Sequence, residues 1–356
     1  MSLRTRNGAA RRLRQTTAAV IATAALALTG CAADGAGGGE GELQPLSAVT
    51  FLPLESFTFT PEMVAYAGGF FEDHGLDVDL QAVQGSAAAI QAVISGATDV
   101  TRASTIDSMP PFEQGQPLLA VGTMAHKSNI RVASAASHPI EDGASMAGQT
   151  IGMGSIGGTS EKALDLMLHA EGVDPDSVTR QSVPVTGATF ELVKQGQLAG
   201  YIVSLDTSIA IAQQNEDAVI DAAGLDEVPD FQTWLVSEET AADPEKGPRV
   251  TAFMAAIRDA VQFVIDDAPN DYVNVLEMLR ESGEFQFAAL DDDAIAKEAL
   301  DFYTTETWVN PETGGDILVN DQEKWAAAYE SYAGTGLVEG SHDPSAWMTD
   351  DLLPTE

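Results

Sequence analysis

The chain has 356 residues, is 44% hydrophobic, and carries 54 acidic against 17 basic side chains, for a formal net charge of −37. Five of the basic residues, Arg4, Arg6, Arg11, Arg12 and Arg14, fall within the first thirty positions, where there is no acid. The remainder is so acidic that nucleic-acid binding, which needs clustered Lys and Arg, is not expected, and direct adhesion to anionic lipid is disfavoured.

The basic head leads into an apolar stretch from Ala18 to Leu28, closed by Leu28-Thr29-Gly30-Cys31. A charged head, a short apolar core and small residues at its end predict a secretory signal. Eleven residues are too few to span a bilayer. The Leu-Thr-Gly-Cys ending resembles a bacterial lipoprotein signal. That resemblance implies a signal peptide over 1–30, acylation of Cys31, and an extracytoplasmic chain anchored by lipid to the bacterial cell membrane. Two acyl chains suffice for stable anchoring. Cys31 is the only cysteine, so no disulfide, thiolate nucleophile or cysteine metal site is expected. The histidines, His74, His126, His138, His169 and His342, stand far apart. Neither metal nor cofactor is predicted.

Residues 31–45 are glycine-rich and polar, a flexible tether with a reach of about 20 Å. An α/β rhythm then begins. Ala48 to Leu54 reads as a buried strand. Thr60-Pro61 opens a helix running to about Asp73, and His74-Gly75 ends it. Asp77 to Val83 alternates as a strand. Ser86 caps a helix to Ser95. Thr98 to Thr101 is a short strand, Pro110-Pro111 interrupts the next helical stretch, and strands follow at Pro117 to Gly122 and Ile130 to Ala133. A second set has a strand at Thr150 to Met153, a glycine-rich turn at Gly154 to Ser160, and a helix from Glu161 to Ala170. Strands at Val178 to Val183, Gly200 to Val203 and Ala218 to Ile220 alternate with helices at Ala188 to Gln195 and Ser204 to Gln214. After Trp234-Leu235-Val236 four helices are predicted: Arg249–Asp267, Tyr272–Ser282, Asp292–Tyr303 and Asp321–Tyr332. Strands alternating with helices imply parallel sheets. The pattern gives two α/β units and a helical tail.

Phe70-Phe71-Glu72-Asp73-His74-Gly75-Leu76-Asp77-Val78, Ser95-Gly96-Ala97-Thr98-Asp99-Val100, Gly148-Gln149-Thr150-Ile151-Gly152 and the run Leu192 to Gly200 come in the order and spacing of a known family. Trp308-Val309-Asn310-Pro311 and Gly336-Leu337-Val338 echo its C-terminal helices. The chain resembles the solute-binding proteins that feed ABC importers of nitrate, sulfonates, taurine and thiamine pyrimidines. The resemblance implies a bilobed α/β fold of the type II periplasmic-binding-protein kind, with two parallel-rich sheets, flanking helices and a helical C-terminal tail. Lobe I is expected over 46–136 and 238–356, and lobe II over 137–237, joined by two crossing strands. The implied function is capture of a small-molecule ligand in the interlobe cleft by hinge closure, with no chemistry, and docking of the monomer on an ABC permease with its ATPase. A sensory lipoprotein and an enzyme on the same fold are the alternatives.

Ligands of open α/β sheets lie beyond the carboxyl ends of the strands, which names the candidate contacts. Glu55, Ser56, Phe57 and Thr58 follow the first strand, where an aromatic ring and hydroxyls suit a small polar organic ligand; Phe57 equally reads as packing and Thr58 as a cap. Gln84 and Ser86 stand at a helix start that favours an anion or hydrogen-bonding group. Arg102 and Ser104 follow the third strand. Arg102 can clamp a sulfonate or carboxylate, or pair with Asp99 or Asp107. Ser155, Gly157, Gly158 and Thr159 offer backbone donors at a helix start, in a loop that fits neither nucleotide-binding glycine pattern. Thr186 and Ser204 add hydroxyls, Asp206 can meet an amine or cap its helix, and Trp234 can cover a ligand or pack at the hinge. Arg102 and the helix starts tilt the expectation toward an organic anion such as a sulfonate. Glu55 and Asp206 support a thiamine-pyrimidine-type heterocycle.

Overall fold

The computed structural model describes residues 42–309 and 316–355. The expected signal segment, Cys31, the tether as far as residue 41, and Asn310-Pro311 lie outside them. In chain order the first part comprises β1 (Gln44–Thr50), α1 (Thr60–Ala67), α2 (Phe70–Asp73), β2 (Leu76–Ala82), α3 (Ser86–Ile94), β3 (Val100–Ser104), α4 (Thr105–Glu113) and β4 (Leu118–Ala125). The second comprises β5 (Ile130–Ala135), α5 (Gly143–Met146), β6 (Thr150–Met153), α6 (Thr159–Ala170), β7 (Thr179–Ser182), α7 (Phe190–Lys194), β8 (Gly200–Ser204), α8 (Leu205–Gln214) and β9 (Ala218–Asp221). The chain then runs through β10 (Gln232–Ser237), α9 (Glu238–Ala242), α10 (Lys246–Asp267), α11 (Val273–Ser282), α12 (Asp293–Phe302) and α13 (Gln322–Thr335).

Two five-stranded sheets result, ordered β2-β1-β3-β10-β4 and β7-β6-β8-β5-β9. In each, four strands point one way and one opposes them: β10 is antiparallel to β3 and β4, and β5 to β8 and β9. The opposed strand is the one that arrives from the other sheet. It enters at the carboxyl end of its neighbours and must run back against them. The chain crosses between sheets over 126–129 and 222–231. The expected lobe boundaries at 137 and 237 lie after β5 and after β10. The expected tether overlaps β1 at Gln44 and Pro45.

The first sheet packs against α10. Its Val250, Phe253, Met254, Ile257, Val261 and Val264 recur at three- and four-residue spacing and are all buried. Phe253 stacks on Phe71 at 5.3 Å and meets Trp234 edge-on at 5.1 Å. Each such side chain contributes about 1.5–3 kcal/mol of burial free energy, which holds α1, α2 and α10 to one face of the sheet. The other face shares a cluster with the second sheet, in which Ile106 and Phe112 of α4 join Leu164, Leu166 and Met167 of α6.

Three local expectations change. The helix from Thr60 stops at Ala67 and restarts at Phe70, because Gly69 is left-handed at φ 79° and breaks the ladder. Pro110 and Pro111 lie inside α4 and do not interrupt it; the helix gives up the bonds their nitrogens lack and ends two residues later. Gly85, not Ser86, holds the cap position of α3, with Ser86 in the first turn.

Candidate functional site

The carboxyl ends of the two strand sets face one another, and their loops are joined by hydrogen bonds. The loop after β1 donates Ser56 Oγ to Asp206 Oδ1 at 3.0 Å, reaching the start of α8 on the second sheet. Thr159 Oγ1 and Lys162 Nζ, from the first turn of α6, both donate at 2.5 Å to Asp107 of α4. Leu205 and Ile209 of α8 enter the same apolar cluster as Phe57, Leu300 and Tyr303. The two sheets are therefore clasped together at their strand ends.

Asp206 is buried and multiply bonded. Burial pushes its carboxyl above the usual range, and the hydroxyls of Ser56 and Ser204 with the Phe57 backbone N–H oppose that rise. A carboxylate offers about four acceptor positions, so Asp206 is largely committed to tying the β1 loop to α8. Asp107 is the counterpart on the other side, with a side chain only 5% exposed against 31% for Lys162. Beside it, in the crossing segment, Asp230 accepts from Ser104 Oγ at 2.5 Å. Burial raises Asp230 to about 7, with the Ser104 hydrogen bond opposing and nearby Asp107 adding to the rise.

Arg102 lies beneath this junction with no exposure. Its partner is neither Asp99 nor Asp107 but Glu62 of α1, at 3.3 Å from Nε. Asp99 instead bonds Ser47 and Lys246. Arg102 Nη2 donates to the Thr58 carbonyl at 2.9 Å. Tyr303, in a wide turn following α12, lies near both Arg102 and Asp206 and is held from the other side by Asn129 Nδ2 at 2.7 Å. Trp308 stacks on its ring at 5.3 Å.

The sequence-derived candidates thus separate into three groups. Ser56, Thr58, Ser104, Thr159, Ser204 and Asp206 gather at the junction. Phe57, Arg102 and Trp234 are buried in the apolar body, Phe57 edge-on to Phe287 at 5.1 Å. Glu55, Gln84, Ser155, Gly157 and Thr186 are exposed, Gly158 is half-exposed, and Ser86 is buried in the first turn of α3. At the glycine-rich turn the Gly157 N–H already donates to the Glu161 carboxylate, which occupies the place an anion would take. Glu62, Lys162, Asp230, Asn129 and Tyr303 went unread in the sequence. Glu62 and Lys162 sit on ordinary amphipathic helices, and Tyr303 is brought in from far along the chain. Among the described residues no group of His, Cys, Asp and Glu could hold a metal ion, and no helix is long and apolar enough to cross a membrane.

Residues 56–270, more than half of the chain, match the family described as NMT1/THI5 like. The chain belongs to the NMT1/THI5-like family. The family match takes in Glu62, Arg102, Asp107, Lys162 and Asp206 and stops before Tyr303. The formylaminopyrimidine-binding protein of Halalkalibacterium halodurans is 22% identical over 263 residues, 74% of this chain and 77% of that protein. The periplasmic aliphatic sulphonate binding protein of Escherichia coli superposes with a TM-score of 0.64 at 14% identity, over 87% of this chain and 98% of its own. The periplasmic nitrate-binding protein of Synechocystis PCC 6803 gives 0.56 at 15% identity, over 87% of each chain. This NMT1/THI5-like chain therefore has the periplasmic-binding-protein fold, with two mixed α/β sheets and a helical C-terminal region.

Proposed function

We propose that the chain is the extracytoplasmic substrate-binding component of an ABC importer. It closes two lobes, 43–129 with 232–309 and 316–355, and 130–231, over a small solute and presents the closed form to a permease with its ATPase. Acylation of Cys31 would keep it at the membrane. The observation that carries this reading is the pair of clasps at the strand ends, Ser56–Asp206 and Asp107–Thr159/Lys162, in a family of bilobed proteins. Each clasp joins loops or helices that follow strands of different sheets, the kind of contact that closure of a cleft would make.

The ligand class we favour is an uncharged or weakly basic nitrogen heterocycle of the pyrimidine kind. The expectation of an organic anion rested on Arg102 and on the helix starts. Arg102 is neutralised by Glu62, and the Gly157 N–H is taken by Glu161. Asp107, Asp206 and Asp230 all face the junction, where their carboxyl oxygens suit a ligand that brings N–H donors; an anion brings only further acceptors. The similarity to a formylaminopyrimidine-binding protein points the same way.

A thermal-shift panel on the purified protein tests both levels. Hydroxymethylpyrimidine and thiamine are set against taurine, alkanesulfonates and nitrate. A ligand at about 100 times its dissociation constant adds roughly 2.7 kcal/mol, a rise of several degrees. A pyrimidine shift is expected. A sulfonate or nitrate shift without a pyrimidine shift refutes the ligand class, and silence across all solutes refutes solute capture from this panel.

A further inference from the structure

The Glu62–Arg102 pair is an unusual thing to bury. Both side chains have no exposure, and although Nε lies 3.3 Å from Oε1, hydrogen-bond geometry is missing. Both Glu62 oxygens and Arg102 Nε and Nη1 have no hydrogen-bond partner. Only Nη2 is used, on the Thr58 carbonyl. Buried charged groups are normally paired and fully hydrogen-bonded, and a well-packed apolar pair would stabilise the fold as well or better. Stability therefore does not account for the pair.

Its surroundings suggest a role. Three rings surround the guanidinium: Phe59 at 5.0 Å, Phe51 at 5.7 Å and Trp234 at 5.8 Å. Phe59 and Trp234 are buried, whereas Phe51 keeps part of its surface exposed. Phe51 lies in the loop at the carboxyl end of β1, the same loop whose Ser56 reaches Asp206 across the cleft. On the proposed closure that bond crosses between the lobes, and it lies on the same segment as Phe51.

We propose that Glu62 and Arg102 together read an amidine-type edge of the ligand, a ring nitrogen beside an exocyclic amino group. The ligand ring takes the space beside the guanidinium that Phe51 holds here, with its edge and not its face turned to Arg102. Arg102 Nη1 donates to the ring nitrogen, and the Glu62 carboxylate accepts from the amino N–H; no bond is made or broken. Because the pair sums to zero charge, it suits an edge with one acceptor and one donor. A sulfonate or nitrate offers only acceptors and would leave Glu62 facing an anion. This rests on the heterocycle reading above and deepens it by naming the edge and the residues that read it.

The test is calorimetric titration of the unaltered protein with hydroxymethylpyrimidine and with its analogue in which hydrogen replaces the ring amino group. Loss of a hydrogen bond to a buried carboxylate is expected to weaken binding about tenfold to a hundredfold. Equal affinities for the two compounds overturn the proposal while leaving the heterocycle reading intact. If hydroxymethylpyrimidine does not bind at all, both fall. A second arm uses the double variant Glu62→Met, Arg102→Met, which removes both charges and retains apolar bulk. A melting temperature near that of the parent with hydroxymethylpyrimidine affinity lost supports the proposal; a folded double variant that binds as the parent does overturns it. If the double variant does not fold, the comparison of the two compounds decides.

Discussion

Asp230 offers a sharp test of how the crossing segment is held. Its carboxyl is raised from 3.8 to about 7, chiefly by burial. A carboxyl whose folded-state value is raised favours the protonated form, so its contribution is fully present below about pH 4. That contribution is lost as pH climbs through 7. A shift of about three units corresponds to about 4 kcal/mol. The residue as a whole keeps some exposure, and allowing for solvent screening brings the figure to about 2 kcal/mol. Asp230→Asn imitates the protonated acid and retains an oxygen for the Ser104 hydroxyl. The variant is expected to match the parent at pH 4 and to be more stable at pH 8. The gain should be about 2 kcal/mol, or roughly 4 °C in melting temperature. Melting curves of both proteins at half-unit steps from pH 4 to 8 isolate the effect, since all other groups cancel in the difference. A flat difference, or an asparagine variant less stable at pH 8, would refute the assignment of a raised carboxyl at this position.

Two further outcomes follow from the same geometry. Asp107→Ala removes the acceptor of both Thr159 and Lys162; it should weaken the closed form by about 1–2 kcal/mol, lower ligand affinity on the order of tenfold, and enlarge the liganded radius of gyration in small-angle scattering. An unchanged affinity and radius would show that the clasp is ornamental. His126 is buried with both ring nitrogens unpartnered, and burial lowers it to about 4. Since the folded value is depressed, the neutral ring's contribution is present above about pH 6.5 and is lost as pH falls toward 4. Its ring-proton NMR shifts should stay constant from pH 8 to 5, and a midpoint above 6 would contradict the burial.

Much of the architecture was legible because hydrophobic runs and glycine stops are local signals. The strand Thr150–Met153 and the helix end at Ala170 emerge as read. The opposed directions of β5 and β10 were not legible, since direction depends on which sheet a strand joins and not on its own residues. At the junction, Ser56 and Asp206 were visible as loop residues after strands, but their mutual bond spans 150 positions. Arg102 stood out as one of few arginines, yet its partner is on α1, where Glu62 looks like any acid in a first helical turn. The glycine-rich turn did carry a readable warning: Glu161 stands four residues after Gly157, close enough to satisfy the N–H that an anion would need. Tyr303 gave no signal at all, because the turn that delivers it follows an ordinary amphipathic helix.

The placement of β10 has a consequence for how the chain comes to be folded. β3 and β4 do not pair with each other; β10 fills the slot between them, with Thr233 opposite both Ala103 and Thr123. The second sheet draws all its strands from residues 130–221 and can be completed while the first is still split. During synthesis the middle of the chain is therefore free to fold before its beginning. Until residue 237 emerges, β3 and β4 each present an unpaired edge, the kind of surface that invites pairing with other chains. Such long-range strand insertion is also slow. The interval between translation of β4 and arrival of β10 is when the nascent chain is most exposed to aggregation, and when a holding chaperone would do most good.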